Sequence, residues 1–267
     1  MAGDELVSRP ASGRRFEAHA RVRLADVSAT GRLRLDAIAR MLQDVSGDDT
    51  ADAAHAPDAA WVVRRLVIEL ATDESPERAP ARAPRLRDEL TLVTWCSGTG
   101  PRWAERRTDL MLDGTDGEVV ARAGALWVLV DPATGRPIAL GAGFDAVYGE
   151  AAGGRRVGQR LRHGPPPAGA RGTAWPLRVT DVDVLGHVNN AVYWCPVEET
   201  LARLAPGRRV ARAELEFRGG LDPTDAVELI GIAAGTEELR LWLTVASDVR
   251  ASAVVQLAPA PPPGRRF

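Results

Sequence analysis

The chain has 267 residues, of which 45% are hydrophobic and 26% charged, so it can form one large domain or two small ones around a sizeable core. The formal net charge of −2 argues against a general nucleic-acid binder, although all 34 basic residues are arginine. Two cysteines do not make a disulfide framework. Since no apolar run is long enough to span a bilayer and the N-terminus lacks a signal-peptide core, we expect a cytoplasmic protein that does not bind membranes.

The first half of the chain is predicted to contain a strand, a long helix and further strands. Apolar and polar residues alternate over 16–24, which indicates a half-buried strand. Leu35, Ile38, Leu42 and Val45 recur at helical spacing and predict an amphipathic helix over 33–54. Strands are predicted at 61–70, 89–96, 102–112 and 119–130, and the proline-containing segment 71–87 is predicted to be a loop.

The second half repeats this order after a segment rich in Gly, Arg and Pro. That segment, 149–172, is the predicted linker between two domains, 1–148 and 173–267. Beyond it we predict a strand at 175–179 and a helix at 190–204. Further strands are predicted at 210–217, 226–233, 239–246 and 250–257.

A polar loop with catalytic potential opens the second half. Asp183 and His187 lie four residues apart, and Gly186 between them tolerates positive φ. Asn189 or Asn190 can cap the predicted helix that follows. An acid, an imidazole and the positive end of a helix suit acid–base chemistry on a carbonyl whose oxygen gains charge.

The two halves align without gaps when Val22 is placed on Leu177, which indicates an internal duplication. In that alignment Ser28 stands where Asp183 is and Arg32 stands where His187 is, so the first half keeps the turn without the acid and the imidazole. We therefore predict one active site per chain, with the first half forming the opposite wall of that site.

The run from Asp183 to Asn190 resembles the signature of hotdog-fold thioesterases, Asp followed by His-Val-Asn-Asn at the start of the central helix. Segments 23–44, 61–70 with 88–95, and 121–131 extend the likeness to the acyl-acyl carrier protein (acyl-ACP) thioesterases. The resemblance implies an α+β tandem (double) hotdog, each half an antiparallel sheet wrapped around one long helix. It also implies hydrolysis of fatty acyl-ACP in fatty acid biosynthesis, by a monomeric pseudo-dimer or a homodimer. An acyl-CoA thioesterase and a non-catalytic acyl-thioester sensing module are the alternatives.

The resemblance assigns catalytic roles to Asp183, His187 and Asn189, with Asp183 either general base or nucleophile. Backbone amides at 188–190 are expected to form the oxyanion hole. The residues expected to bind substrate are Asn190, Gln43, Asp44, Met41, Leu42 and Trp61. No cofactor is expected, and no Cys/His cluster has metal-ligand spacing.

The chain departs from the plant members of that family at three positions. Leu185 stands where they carry an Asn, and Gly219 and Gly220 replace a Glu-Cys pair. Cys195 is predicted to be a small packing residue rather than a substitute nucleophile. Arginine-rich segments at 78–87 and 155–162 are either solvated loops or docking sites for an acidic carrier protein.

Overall fold

The computed structural model describes residues 6–54, 59–71, 83–115 and 117–258. The first half contains helices α1 (Leu35–Asp52) and α2 (Gly141–Ala152) and strands β1 (Arg15–Arg21), β2 (Ala60–Leu70), β3 (Glu89–Thr99), β4 (Trp103–Leu112) and β5 (Val119–Val130). The second half contains β6 (Thr173–Ala174), α3 (Cys195–Leu204), β7 (Val210–Phe217), β8 (Val227–Ala233), β9 (Glu238–Val245) and β10 (Asp248–Leu257). Most of the loop predicted at 71–87 lies outside the described residues.

All ten strands form one antiparallel sheet in the order β1-β3-β4-β5-β2-β7-β10-β9-β8-β6. The halves join edge to edge where β2 pairs with β7, from Arg65 opposite Glu216 to Glu69 opposite Arg212. Each half curves around its own long helix, and α1 contacts α3. The tandem hotdog predicted from the sequence is therefore confirmed.

One hydrophobic core runs through both halves. Helix α1 contributes Leu35 and Ile38, and α3 contributes Val197 and Leu201, all of them buried. Burying such a side chain stabilises the fold by about 1.5–3 kcal/mol. Both helices pack against a sheet that continues from one half into the other, so the main core is shared by the two halves.

Two predictions for the second half need correction. The segment 175–179 is not a strand: the sheet ends at the two-residue β6, and a short 3₁₀ turn covers Val179–Asp181. The α-helix starts at Cys195 instead of 190, after a 3₁₀ turn at Val192–Trp194. Pro196 explains the late start, since proline lacks an N–H and fits only the first turn of a helix.

Helix α2 has no counterpart in the sequence-based prediction. Gly141, Gly143 and Gly149 lower its helix propensity, so its sequence does not favour a helix. The helix forms because Phe144 and Tyr148, one turn apart, are buried beside Cys96 and Ala104 of the sheet. It runs through residue 148, where the sequence places the end of the first domain, and the predicted linker starts within it.

A buried carboxylate ties the segment after α2 to the sheet. Glu216 of β7 is fully buried at 0% exposure. Its carboxylate accepts the backbone N–H groups of Arg162 and His163 and pairs with Arg218. Arg155 in the same segment donates to the buried Glu105 at 2.6 Å, so this arginine is a structural residue and not a free docking group.

No helix among the described residues is both long and apolar enough to cross a membrane.

Candidate active site

The loop that carries Asp183 and His187 has the same backbone hydrogen bonds as its first-half counterpart. The Asp183 N–H donates to the His187 carbonyl at 3.0 Å, and the Ser28 N–H donates to that of Arg32 at 2.8 Å. Gly186 and Gly31 both have φ of +80°, a conformation that glycine adopts without strain. The duplication read from the sequence therefore extends to the geometry of the turn.

In the first half, the place equivalent to the active site is filled by an ion pair. Arg32, which stands where His187 does, pairs with Glu198 of α3. The same carboxylate accepts the N–H of Leu35 at 2.7 Å and so caps the start of α1. Glu198 aligns with Gln43, which lines a cleft beside the second-half loop.

A cleft of about 300 Å³ lies between the second-half loop and helix α1. Asp183 and Asn189 line it from the loop, and Gln43 and Asp44 line it from α1. The Asp183 carboxylate accepts the Leu185 N–H at 2.9 Å and the Asn189 side-chain amide at 3.4 Å. Asn189 in turn accepts the Ala191 N–H at 2.9 Å. Asn189 thus links the acid to the start of the helical segment.

Two further acidic side chains in the cleft, Asp44 and Cys195, have raised pKa values. Partial burial, with repulsion from Asp48, raises the pKa of the Asp44 carboxyl above its ordinary value. Cys195 also lines the cleft, and burial raises the pKa of its thiol to about 11. The thiol is therefore protonated at neutral pH, which makes it a poor nucleophile.

His187 lies at the rim of the cleft and does not line it. Its side chain is 66% exposed, and its Nδ1 atom lies 3.7 Å from the carboxylate of Asp222, which is 67% exposed. Two hydrogen bonds hold the loop that carries Asp222 against the segment from Asp183 to Tyr193. Val188 donates to the Leu221 carbonyl at 3.2 Å, and the Leu221 N–H donates to the Tyr193 hydroxyl at 2.8 Å.

Sequence reasoning missed Asp222 because a tertiary contact brings it to His187. The only sequence signal was its position three residues after Gly219, which stands where the plant members of the family carry a Glu. Leu185, the third departure, has its side chain in solvent.

Of the three backbone amides expected to form an oxyanion hole, two are already used. Val188 donates to Leu221, and Asn189 donates to the Asp181 carbonyl at 2.9 Å. Within the part of the chain that the structure describes, the Asn190 N–H donates to no protein acceptor. Asn190 is thus the backbone donor left for a ligand.

Two further spaces lie along α1 beside the cleft. A narrow space of about 30 Å³, the neck, is lined by Asn190, Leu42 and Gln43. A distal cavity of about 320 Å³ is lined by Gln43, Trp61 and the α2 residues Phe144 and Tyr148. Gln43 lines all three spaces. The structure thus brings together every predicted substrate-binding residue except one.

That exception is Met41, which lies on another face of α1. It lines a separate hollow with Ala18, Ala20 and Leu92, between the helix and strands β1 and β3. Asp44 borders this hollow as well as the cleft. At helical spacing Met41 and Leu42 point about 100° apart, which is why adjacent residues diverge.

Away from the cleft, His163, Glu214 and Glu216 are the one group of potential metal ligands found in the described residues. Glu214 lies 3.8 Å from Nε2 of His163 and Glu216 lies 3.9 Å from Nδ1. The Glu216 carboxylate already accepts the backbone N–H groups of Arg162 and His163 and pairs with Arg218. The cluster fits its structural role in fixing the segment after α2.

Comparison with known proteins gives matches along most of the chain. The family models for the acyl-ACP thioesterase N-terminal and C-terminal domains match residues 13–148 and 168–253. An uncharacterized protein of Mycobacterium tuberculosis is 30% identical over 252 residues, covering 94% of this chain and 95% of that protein. The 12:0-ACP thioesterase from Umbellularia californica is similar in fold, with a TM-score of 0.76, 18% identity and coverage of 94% and 100%. An acyl-ACP thioesterase from Bacteroides thetaiotaomicron has a TM-score of 0.71, 18% identity and coverage of 91% and 98%.

Proposed function

This chain belongs to the acyl-ACP thioesterase family, and from that premise we propose that it hydrolyses fatty acyl-ACP to free fatty acid and carrier protein in the cytoplasm. The observation that carries the proposal is the row of neighbouring spaces that share Gln43, namely the cleft at Asp183, the narrow neck and the distal cavity. Such a row accommodates a thioester in the cleft and an acyl chain in the spaces beyond it. One site per chain is sufficient for a monomer to act.

In the proposed reaction, Asp183 acts on the thioester carbonyl carbon through water. Its carboxylate takes a proton from the water as the oxygen attacks, and later returns that proton to the thiolate of the carrier arm. Asn189 holds the carboxylate, and the Asn190 N–H faces the developing oxyanion with the Gln43 amide nearby. The products are a carboxylic acid and a thiol. Direct attack by Asp183, through a mixed anhydride, uses the same geometry.

We place His187 at the entry of the substrate. A thioester that enters from solvent passes the imidazole before it reaches Asp183, and Asp222 orients the ring. In this position His187 donates to the carbonyl oxygen or to the sulfur once the substrate covers the rim. Its partner Asp222 is a positioning residue in the proposal.

The proposal is tested by measuring free-thiol release from a panel of acyl-ACP and acyl-CoA thioesters with matched chains. We expect turnover of acyl-ACP with a higher kcat/KM than that of the matched acyl-CoA. Equal turnover of both carriers would favour the acyl-CoA thioesterase. Tight binding of acyl thioesters without any thiol release would favour the sensing module.

A further inference from the structure

A short exposed stretch of the chain leads from the rim of the cleft to the junction between the two halves. It runs from Asp222, which lies beside His187, back to Arg218, the first residue after β7. Arg218, Gly220 and Asp222 are exposed along it, whereas the side chain of Leu221 is buried in the core. No described atom lies within 4 Å of the place where a Cβ on Gly220 would be, so the middle of the stretch is open to solvent.

Three arginines meet at the far end of this stretch. The guanidinium group of Arg64, on β2, lies 3.5 Å from the carbonyl oxygen of Arg218. The Nη1 atom of Arg250, on β10, lies 3.2 Å from the position that a Cβ on Gly219 would take. The guanidinium groups of Arg64 and Arg250 therefore border the same peptide unit. The carbonyl of Arg250 also accepts the N–H groups of Arg218 and Gly219 at 2.8 and 3.1 Å, which fixes that peptide unit beside β10.

The positive charge of these arginines is only partly balanced. Arg218 is engaged, since it pairs with the buried Glu216 and donates to the His163 carbonyl. Arg64 and Arg250 form no ion pair with any acid in the described part of the chain. Burial, together with the charge of Arg218, lowers the pKa of the Arg64 guanidinium, as expected for a cation without a close carboxylate. Both side chains stay cationic at neutral pH, because arginine is effectively always protonated.

Two arginines without carboxylate partners favour an anion with several oxygen acceptors, and phosphate matches the guanidinium group well. Every acyl-ACP or acyl-CoA has a phosphate at one fixed place, the outer end of the pantetheine arm whose inner end holds the thioester sulfur. That arm contains two amide units and is about as long as four residues of extended chain. Asp222 and Arg218 are four residues apart. A thioester at the rim of the cleft therefore brings its phosphate to the arginines.

We propose that Arg64 and Arg250 bind the phosphate of the phosphopantetheine arm, and that the arm lies along Gly219 and Gly220. This inference rests on the proposed thioesterase function and names how the site holds its substrate outside the cleft. The phosphate is a diester in acyl-ACP and part of a diphosphate in acyl-CoA, so both sources offer anionic oxygens at the same distance from the sulfur. Two glycines have no side chains that would obstruct the arm.

The test compares two thioethers, which cannot be hydrolysed, so it does not depend on catalysis. S-dodecyl-phosphopantetheine and S-dodecyl-pantetheine differ only in the phosphate, and each is titrated into the whole protein by calorimetry. We expect the phosphorylated compound to bind at least roughly 10-fold more tightly at low salt, as charge-assisted hydrogen bonds predict. The preference should shrink at high salt, because salt screens charges at an exposed site.

Arginine variants locate the phosphate on the protein. Arg64→Gln and Arg250→Gln should each reduce the preference several-fold and leave the binding of the unphosphorylated thioether unchanged. Arg122→Gln is the matched control, because it removes the same charge from β5 at a position opposite Glu69, five residues along β2 from Arg64. Circular dichroism checks the fold of each variant. The preference of the wild-type protein is a test in itself if a variant does not fold.

Three results of the titrations would overturn the proposal. They are equal binding of the two thioethers, binding of neither, and a preference that both arginine variants retain. A loss of acyl-ACP turnover in the variants with an unchanged thioether preference would also overturn it, because the arginines would then contact the surface of the carrier protein instead of the phosphate.

Thioester hydrolysis separates this proposal from the proposed function. Thiol release from acyl-ACP, with equal binding of the two thioethers, would leave the thioesterase function standing and remove the phosphate site. A preference for the phosphorylated thioether, without hydrolysis of any thioester, would remove the thioesterase function and leave the phosphate site standing. Where the variants lose the preference, the substrate whose kcat/KM falls, acyl-ACP or acyl-CoA, identifies the source of the phosphate.

Discussion

Asp183 is the side chain on which the proposed chemistry depends most directly, because it lines the cleft and already has its hydrogen-bond partners. We expect Asp183→Asn to lower kcat by roughly 10²–10⁴-fold, the usual effect of losing a positioned acid–base group. Cys195→Ala is the control in the same cleft. It should leave the rate of the chemical step unchanged, because the Cys195 thiol is protonated at neutral pH and is a poor nucleophile. Stopped-flow or steady-state thiol release measures both, and an active Asp183→Asn would move the chemistry to Asp44.

A different prediction concerns His187 and Asp222 at the rim of the cleft. If Asp222 acts only by orienting the imidazole, Asp222→Asn should lower kcat/KM less than His187→Ala does. The double variant should be no worse than His187→Ala, because residues that act as a unit are not additive. Multiplicative losses would show that the two side chains serve separate steps.

We expect the Asp44 carboxyl to lower the folding stability at neutral pH. Its raised pKa means that the folded state binds the proton more tightly than the unfolded chain does, so folding stability falls as pH rises from the ordinary aspartate value through the raised one. Asp44→Asn should remove that fall and be slightly more stable than the parent at neutral pH, a small gain because the side chain is partly exposed. Urea unfolding at a series of pH values measures this, and a variant that is less stable at neutral pH would contradict it.

At the scale of elements, Glu198 connects α3 to the start of α1. Its carboxylate caps Leu35 and pairs with Arg32 in a mostly buried place. We expect Glu198→Ala to lower the free energy of unfolding by about 1–3 kcal/mol, the cost of a lost cap with an unpaired partner left behind. Glu199→Ala, next along the chain and exposed, is the matched control and should have little effect. Equal effects of both changes on the denaturant midpoint would refute this role.

Helix α2 lines the distal cavity although its own sequence does not predict a helix. Its glycines argue against a helix, yet its buried aromatic residues line the distal cavity beside Trp61. Packing against strand β3 outweighs weak propensity here, as it commonly does. One wall of the distal cavity therefore comes from a segment that the sequence pattern left unassigned.

At the scale of the whole molecule, the two halves should unfold together. The β2–β7 pairing lies in the middle of the sheet, and α1 and α3 share one core. We expect a single cooperative transition, with far-ultraviolet and near-ultraviolet circular dichroism changing at the same denaturant concentration. Tryptophans in both halves report on the tertiary signal. Two separated transitions would mean that each half is an independent domain.

The sequence predicted what depends on local pattern and on repetition. Alternation and helical spacing located most strands and α1, because an element must bury one face whatever its neighbours are. The alignment of Ser28 with Asp183 predicted that only one loop carries an acid, and the shared turn in both halves agrees with the duplication. The resemblance to the thioesterase signature pointed to Asp183 and Asn189, and the pseudo-symmetry of the two halves predicted that Gln43 lies near them.

Only the tertiary structure decided how far each candidate lies from the cleft. Leu42, which lines the neck, and Met41, which faces another hollow, are adjacent on α1 and point about 100° apart, and no sequence pattern says where the cavity will be. His187 and Asp222 come from loops 35 residues apart along the chain and meet at the rim. Local sequence fixes which face of an element is apolar, whereas side-chain contacts between distant segments depend on how those faces pack.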